Sequence, residues 1–111
     1  MEVKRGDVVL AVPPGDLGKP RPAVIVQSDD LGDATSSVLV CPMSSDLNTF
    51  RRARPHIEPT AANGLRVRSQ IMTDKVGPLR RDRIRRVIGA LDAEDADEFD
   101  RALLIVLGLA R

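Results

Sequence analysis

Short runs of apolar, often β-branched residues alternate with polar, turn-forming segments along most of the chain. Runs of this length, bounded by Gly, Pro, Asn, Asp and Ser, are typical of β-strands. Because proline donates no hydrogen bond to a β-ladder, a run that contains Pro55 is expected at a sheet edge. The pattern predicts strands at residues 8–12, 23–27, 37–42, 54–58, 67–73 and 86–90, a bend near 74–78 and a short connector at 82–84.

The last twenty residues follow a helical periodicity instead. Asp92 is a suitable N-cap, and the acidic residues that follow it suit the positive end of a helix dipole. The predicted fold is therefore mostly β with a C-terminal helix, in the form of a small, strongly bent β-barrel. The apolar helix face is wider than one side of such a barrel needs, which favours contact on two sides. Its residues are Phe99, Ala102, Leu103, Ile105, Val106 and Leu109.

Length and composition limit the class of protein. At 111 residues the chain is long enough for one core, so residues 1–111 are expected to form a single domain. No apolar run approaches a membrane span and no leader pattern is present, which predicts a cytoplasmic protein without a membrane contact. Cys41 is the only cysteine and is expected to be buried, so no disulfide or multi-cysteine site can form. With one histidine and no tight carboxylate cluster, neither a metal nor another cofactor is expected.

Charge is unevenly distributed although the net charge is only +1. Residues 1–50 carry four basic and seven acidic side chains. Residues 51–91 carry eleven basic and three acidic side chains, and residues 92–111 carry two basic and six acidic ones. The central block thus has a net charge of +8 between segments of −3 and −4. It is either a polyanion-binding surface or a solvated basic face balanced by the rest of the fold.

Arg21 lies between Pro20 and Pro22, immediately before the second predicted strand. Each proline fixes its own φ and restricts the residue before it, so the Arg21 backbone is stiff. A guanidinium keeps its proton and presents a planar fork that matches two phosphate oxygens. The pattern indicates an arginine directed at phosphate; the alternative is a solvated arginine at a strand entrance.

The chain also resembles the MazF/PemK (Kid) family of toxin endoribonucleases. The resemblance rests on residues 5–9 (RGDVV), 21–26 (RPAVIV), 40–45 (VCPMSS) and 64–70 (GLRVRSQ), followed by the terminal helix. It implies an SH3-like barrel of the CcdB/PemK type that forms a homodimer. It further implies metal-independent cleavage of single-stranded RNA at short sequence motifs, and a cognate antitoxin whose flexible acidic and apolar tail occupies the RNA groove.

Individual residues can be matched to the family's site. The catalytic arginine falls on Arg21, and the catalytic threonine or serine, two residues after a proline, falls on Ser44. Ser45 is the neighbouring alternative, and the family's glutamine falls on Gln70. Ser69 stands where the family often has an aspartate.

Metal-free RNA cleavage uses the 2′-hydroxyl of the RNA as nucleophile, so the protein must stabilise phosphate charge and move two protons. Arg21 and Ser44 can donate hydrogen bonds to phosphate oxygens, but neither is a base near neutral pH. Asp16, in the loop before Arg21, is the nearest candidate for the base. The alternative is a turn aspartate whose side chain forms a hydrogen bond with its own backbone. His56, on the predicted edge strand, is expected at the surface or at a dimer contact rather than in the site.

Basic side chains in the central block and before Arg21 are candidates for binding the RNA backbone. In a strand through residues 66–68, the two arginines would share one face and Val67 the other. Phe50 is the aromatic residue expected to stack on a base, because Phe99 is expected in the core. The RNA-binding candidates are Lys19, Arg51, Arg52, Arg66, Arg68 and Lys75, and Arg80 and Arg81 are further candidates for holding the RNA backbone.

Two other functions remain open. A CcdB-like toxin of the same barrel would inhibit DNA gyrase by protein binding and would not depend on Arg21. A non-catalytic barrel would bind RNA or an antitoxin without cleaving RNA.

Overall fold

The computed structural model describes residues 2–15, 18–47, 50 and 52–110. Within these ranges the chain forms seven strands and one α-helix, with short 3-10 turns at Asp29–Leu31, Thr73–Lys75 and Arg81–Arg83. The elements are β1 Asp7–Ala11, β2 Arg21–Ile25, β3 Ser37–Ser44, β4 His56–Ile57, β5 Ser69–Ile71, β6 Gly77–Arg80, β7 Ile84–Ala90 and α1 Ala93–Val106.

Every strand pairing in the sheet is antiparallel, and the strand order is β4-β5-β3-β2-β1-β7, with β6 paired to β3 beside this path. On one edge β3 pairs with β2; on the other, residues 37–40 pair with β6 and residues 43–44 with β5. This change of partner along one strand bends the sheet. The predicted bent, mostly β barrel with a C-terminal helix is confirmed.

The predicted strand boundaries are off by one or two residues throughout, and two elements differ for identifiable local reasons. Strand β5 is only Ser69–Ile71, because the chain bends at residues 66–67 and tightens into a 3-10 turn at Thr73–Lys75. The predicted bend at residues 74–78 is in part strand β6, which contains Pro78. Proline is tolerated there because β6 pairs only with β3 among the described strands, so one side of it needs no donors. The edge position of β4, beside Pro55, is confirmed.

Alternating side chains fill two apolar clusters on opposite faces of the bent sheet. Phe99 and Leu103 of α1 pack onto the second cluster, and the expected burial of Phe99 and Cys41 is confirmed. The first cluster contains Val9, Ala11, Ala23, Ile25, Val38, Val40, Leu79 and Ile84. The second contains Val8, Val24, Cys41, Met43, Ile57 and Ile71.

The turn before β5 is fixed by one buried amide. The Asn63 Oδ1 accepts hydrogen bonds from the N–H groups of Thr60 and Leu65, each at 3.0 Å. Its Nδ2 donates a hydrogen bond to the Glu58 carbonyl oxygen at 2.9 Å. Gly64 follows with φ +72°, and a Cβ at this position would lie 2.2 Å from the Ile88 carbonyl oxygen. The turn therefore packs directly against β7, and only glycine fits there.

Helix α1 begins at the predicted cap, since Asp92 accepts the Asp95 N–H at 2.8 Å. Arg5 ties the helix to the sheet by an ion pair with Asp100 at 2.8 Å and a hydrogen bond to the Val26 carbonyl at 3.0 Å. The predicted helix face is only partly available to a partner, because Phe99, Ala102 and Leu103 are already buried; the exposed leucines are Leu104, Leu107 and Leu109. No helix in the described ranges is long and apolar enough to cross a membrane.

Candidate active site

Arg21 and Ser44 lie at the same end of two paired strands, where β2 begins and β3 ends. The pairing aligns Ala23 with Pro42, and continuing this register by two residues places Arg21 opposite Ser44. Directly opposed residues of an antiparallel pair project from the same face of the sheet. The two side chains that the sequence assigned to catalysis therefore project together.

Both residues line a groove with a volume of about 370 Å³. Its polar side chains are those of Arg21, Ser44 and Lys75, and no acidic residue is among its described lining. Its described lining thus combines an apolar floor with two basic side chains, which suits an anion. The rest of the lining is Ala11, Pro13, Pro14, Pro22, Ala23, Val40, Pro42, Met43, Met72, Gly77, Pro78 and Leu79.

The Ser44 hydroxyl is held in a defined orientation. Its Oγ accepts the N–H of Asp46 at 3.0 Å, so the hydroxyl proton is left to donate. Ser44 is half-buried in the groove wall, whereas Ser45 is exposed and is not part of the lining. Of the two adjacent serines, Ser44 is therefore the one that can reach a phosphate beside Arg21.

Gln70 lies opposite Ser44 on β5, and His56 lies opposite Gln70 on β4. The three residues form one row across three strands and project from one face. Gln70 is only 1% exposed, so its amide belongs to the interior beside Ser44 rather than to the groove lining. His56 is half-buried at the sheet edge, separated from Ser44 by β5, in agreement with its expected edge position.

The RNA-binding candidates fall on different surfaces. Lys75 lines the groove with Arg21, but Lys19 and Arg66 line a second groove of about 460 Å³. This second groove has an apolar floor and no acidic residue in its described lining. Pro22 borders both grooves, so the two basic surfaces are adjacent. Arg52 is exposed and lines neither groove.

The expected arginine pair at residues 66–68 was wrong. Residues 66–67 form a bend instead of a strand, so the alternation of side chains that would align the arginines does not apply. Arg66 lines the second groove, whereas the Arg68 Nε pairs with the Glu58 Oε1 at 2.9 Å. Ser69, which also lines the second groove, donates its hydroxyl to the Val67 carbonyl at 3.0 Å.

Several arginines of the basic block are engaged within the fold. Arg80 pairs with Asp82 at 2.8 Å. Arg81 donates to the carbonyl oxygens of Thr35 at 2.6 Å and Gly32 at 3.1 Å. Arg80 and Arg81 are therefore oriented by partners within the fold, and the net charge of +8 does not by itself show which basic side chains face a ligand.

No pattern in the sequence indicates the ion pair that lies beside the groove. Arg54 holds Asp74 with both branches of its guanidinium, Nε to Oδ1 at 2.7 Å and Nη2 to Oδ2 at 2.9 Å. This hydrogen-bonded guanidinium holds the pKa of Asp74 below its usual range. The partners are twenty residues apart in a bent region, so no local spacing signals the contact.

Two candidates, Asp16 and Arg51, lie outside the described residues. Within the ranges that the structure does describe, no group of three or more His, Cys, Asp or Glu side chains is arranged to hold a metal ion.

Comparison with known proteins identifies the family. Residues 4–107 match the family described as PemK-like, MazF-like toxin of type II toxin-antitoxin system. The chain is 42% identical over 109 residues to the probable endoribonuclease MazF of Mycolicibacterium smegmatis, covering 97% of this chain and 99% of that protein. The chain therefore belongs to this family, and the expectation of a MazF-family endoribonuclease toxin is confirmed at that level.

Solved structures share the fold at lower identity. The Mycobacterium tuberculosis toxin MazF-mt6 matches with a TM-score of 0.80 and 20% identity, over 95% of this chain and 99% of that one. An endoribonuclease in complex with its cognate antitoxin, from a mycobacterial species, matches with a TM-score of 0.83 and 18% identity, over 99% of each chain.

Proposed function

We propose that this chain is a sequence-specific, metal-independent endoribonuclease that cleaves single-stranded RNA in the cytoplasm and thereby inhibits translation and growth. Messenger RNA is the principal substrate class, and transfer RNA and ribosomal RNA are further candidate substrates. The observation that carries the proposal is the convergence of Arg21 and Ser44 in one groove whose described lining contains no acidic residue, in a chain of the MazF-like family.

The groove supports a phosphate-centred mechanism. When the 2′-hydroxyl attacks the adjacent phosphorus, negative charge grows on the non-bridging oxygens. The Arg21 guanidinium can donate two hydrogen bonds to these oxygens, and the Ser44 hydroxyl can donate a third from the neighbouring strand. These donors stabilise the charge without a metal ion. Lys75 neutralises a further phosphate along the strand, and Gln70 supports the wall that carries Ser44.

The proton-transferring groups are the less defined part of the mechanism. Among the described lining residues of the groove none is a base near neutral pH, since Arg21, Ser44 and Lys75 all act as donors. Asp16 remains our candidate for the base because it lies five residues before Arg21 in the connecting loop. His56 would have to act across β5, so we assign it no catalytic role.

We also propose two protein partners, a second copy of this chain and a cognate antitoxin. The exposed leucines of α1 favour a homodimer, which would join two basic grooves into a longer RNA site. The structure of a related endoribonuclease in complex with its cognate antitoxin supports the second partner. An antitoxin segment that is both acidic and apolar would complement the apolar floors and basic rims of the two grooves. RNA and this segment should exclude each other in a competition assay.

One experiment separates this function from its alternatives. Purified protein is incubated with a mixed RNA pool, and the products are mapped by sequencing their ends. Cleavage at a short recurrent motif supports the endoribonuclease. Binding without cleavage supports a non-catalytic barrel, and inhibition of DNA gyrase with neither RNA activity supports a CcdB-like toxin.

A further inference from the structure

The ion pair of Arg54 and Asp74 lies next to Lys75, the basic residue that lines the groove opposite the strand ends. Asp74 and Lys75 are consecutive residues of the 3-10 turn Thr73–Lys75, which follows β5. This turn is fixed on one side by the hydrogen bond from the Met72 N–H to the Pro42 carbonyl at 2.8 Å. A carboxylate therefore adjoins a groove in which the charged residues of the described lining are all basic.

Two cations lie near this carboxylate. Arg54 occupies both oxygens of Asp74 with short, paired contacts, and its side chain is only 17% exposed. Lys75 is close enough to lower the pKa of Asp74, although less than Arg54 does. Among the described residues Lys75 itself makes no ion pair. The arginine thus satisfies the acid, and the lysine is left at the groove.

We propose that Arg54 is a positioning residue for RNA binding, which acts by occupying both oxygens of Asp74 and thereby keeps Lys75 available to an RNA phosphate. Without Arg54, the flexible Lys75 ammonium turns to the neighbouring carboxylate and is withdrawn from the groove. The inference rests on the proposed function in one respect, that the groove takes the phosphates of single-stranded RNA.

The salt dependence of binding measures this directly. Each phosphate contact on a single strand contributes about −0.7 to the slope of log K against log salt concentration. Lys75→Met should therefore reduce the slope by about 0.7 and weaken binding severalfold at low salt. Arg54→Met should give the same reduction although Arg54 does not line the groove. Asp74→Asn should leave the slope unchanged.

Combined variants distinguish capture of Lys75 by Asp74 from a purely structural role of the ion pair between Arg54 and Asp74. If the freed Asp74 captures Lys75, then Lys75→Met has no further effect in the Arg54→Met background, and Asp74→Asn restores the wild-type slope there. Full additivity of Arg54→Met and Lys75→Met would overturn the inference. So would a loss for Asp74→Asn equal to that for Arg54→Met, because both changes break the same pair.

The binding probe is a random single-stranded oligonucleotide pool with 2′-O-methyl groups, which cannot be cleaved by 2′-hydroxyl attack. The affinity for RNA is thus measured without cleavage. A separate assay, cleavage of unmodified RNA by the wild-type protein, tests the proposed function. Arg80→Met is the matched control, because it frees Asp82 at an exposed site outside the groove. Circular dichroism verifies that each variant folds. If Arg54→Met does not fold, Arg54→Lys takes its place, and its slope should lie between those expected for wild type and Arg54→Met. Failure of the wild type to bind the pool also overturns the inference.

Discussion

Ser44 is paired with Gln70 across the ladder between β3 and β5, and Gln70 is almost completely buried. The residue that lines the groove is therefore backed by an amide that solvent does not reach. Ser44 and Arg21 line the groove and Gln70 does not, so under the proposed mechanism an RNA phosphate there would meet the first two residues only. We infer that Gln70 affects catalysis through the position of the β3 end rather than through contact with substrate.

We expect Arg21→Ala to abolish RNA cleavage, with a rate loss of at least about a hundredfold, because a donor to the developing phosphate charge is removed. Arg21→Lys should also fail, since an ammonium cannot reproduce the planar fork. Arg21 is exposed, so both variants should keep the wild-type circular dichroism spectrum and melting temperature within a few degrees.

Single-turnover cleavage of a short RNA that contains the mapped motif is the measurement for the Arg21 variants. Arg80→Ala serves as the control, because it removes another exposed arginine outside the groove. Near wild-type cleavage by Arg21→Ala would refute the assignment.

Ser44→Ala should lose much more activity than Ser45→Ala. Ser44 lines the groove and holds its hydroxyl by the contact with the Asp46 N–H, whereas Ser45 is exposed beyond the strand end. The same single-turnover assay compares the two variants, and each acts as the control for the other. Equal losses, or a larger loss for Ser45→Ala, would show that the hydroxyl assignment is displaced by one residue.

The strand positions and the groove residues next to them could be predicted from the sequence because their causes are local. Two prolines around Arg21 and a β-branched run after it determine an extended segment. The Pro42 to Ser44 interval matches a family motif, and the antiparallel register then brings the two ends together. These features require no knowledge of distant contacts.

The distribution of the basic residues could not be predicted, because it depends on partners far apart in sequence. Arg54 meets Asp74 and Arg81 meets residues near Gly32 only after β3 has bent and paired on both edges. The packing of the turn at Gly64 against β7 is likewise a contact between residues far apart in sequence. Composition gave the total positive charge but not the part of it that faces a ligand.

Cleavage should continue in excess EDTA and leave a 2′,3′-cyclic phosphate and a 5′-hydroxyl. The reason is that the nucleophile belongs to the RNA and that Arg21 and Ser44 supply the charge stabilisation. Mass spectrometry of the fragments identifies the termini. A strict magnesium requirement or a 5′-phosphate product would contradict the mechanism, whereas a 2′-deoxy substitution at the cleaved position should prevent cleavage altogether.

Cys41 should be unreactive in the native protein at pH 8. Burial raises the pKa of its thiol from 9.0 to about 12, with a smaller opposing effect of Arg5. The raised pKa disfavours the thiolate, which is the reactive form, by about a thousandfold. Labelling with a thiol reagent should therefore be slow in buffer and rapid in denaturant. Fast labelling of the folded protein near neutral pH would contradict the buried position.

The last prediction concerns assembly through α1. Leu104 and Leu107 border an open groove of about 630 Å³ together with Leu31 and Leu39, and Leu107 is 57% exposed. A second copy would remove this apolar surface from water, so sedimentation at micromolar concentration should report twice the monomer mass of 12.1 kDa. Leu107→Glu should shift the mass to that of the monomer, because a carboxylate would be buried without a partner.

Val67→Glu is the matched control for Leu107→Glu, since Val67 is 55% exposed but does not border the groove beside α1. It should sediment as the wild type does. A Leu107→Glu variant that still sediments at twice the monomer mass would exclude this face as the interface. A wild-type monomer that cleaves RNA would exclude the homodimer itself, because one barrel would then supply the complete active groove.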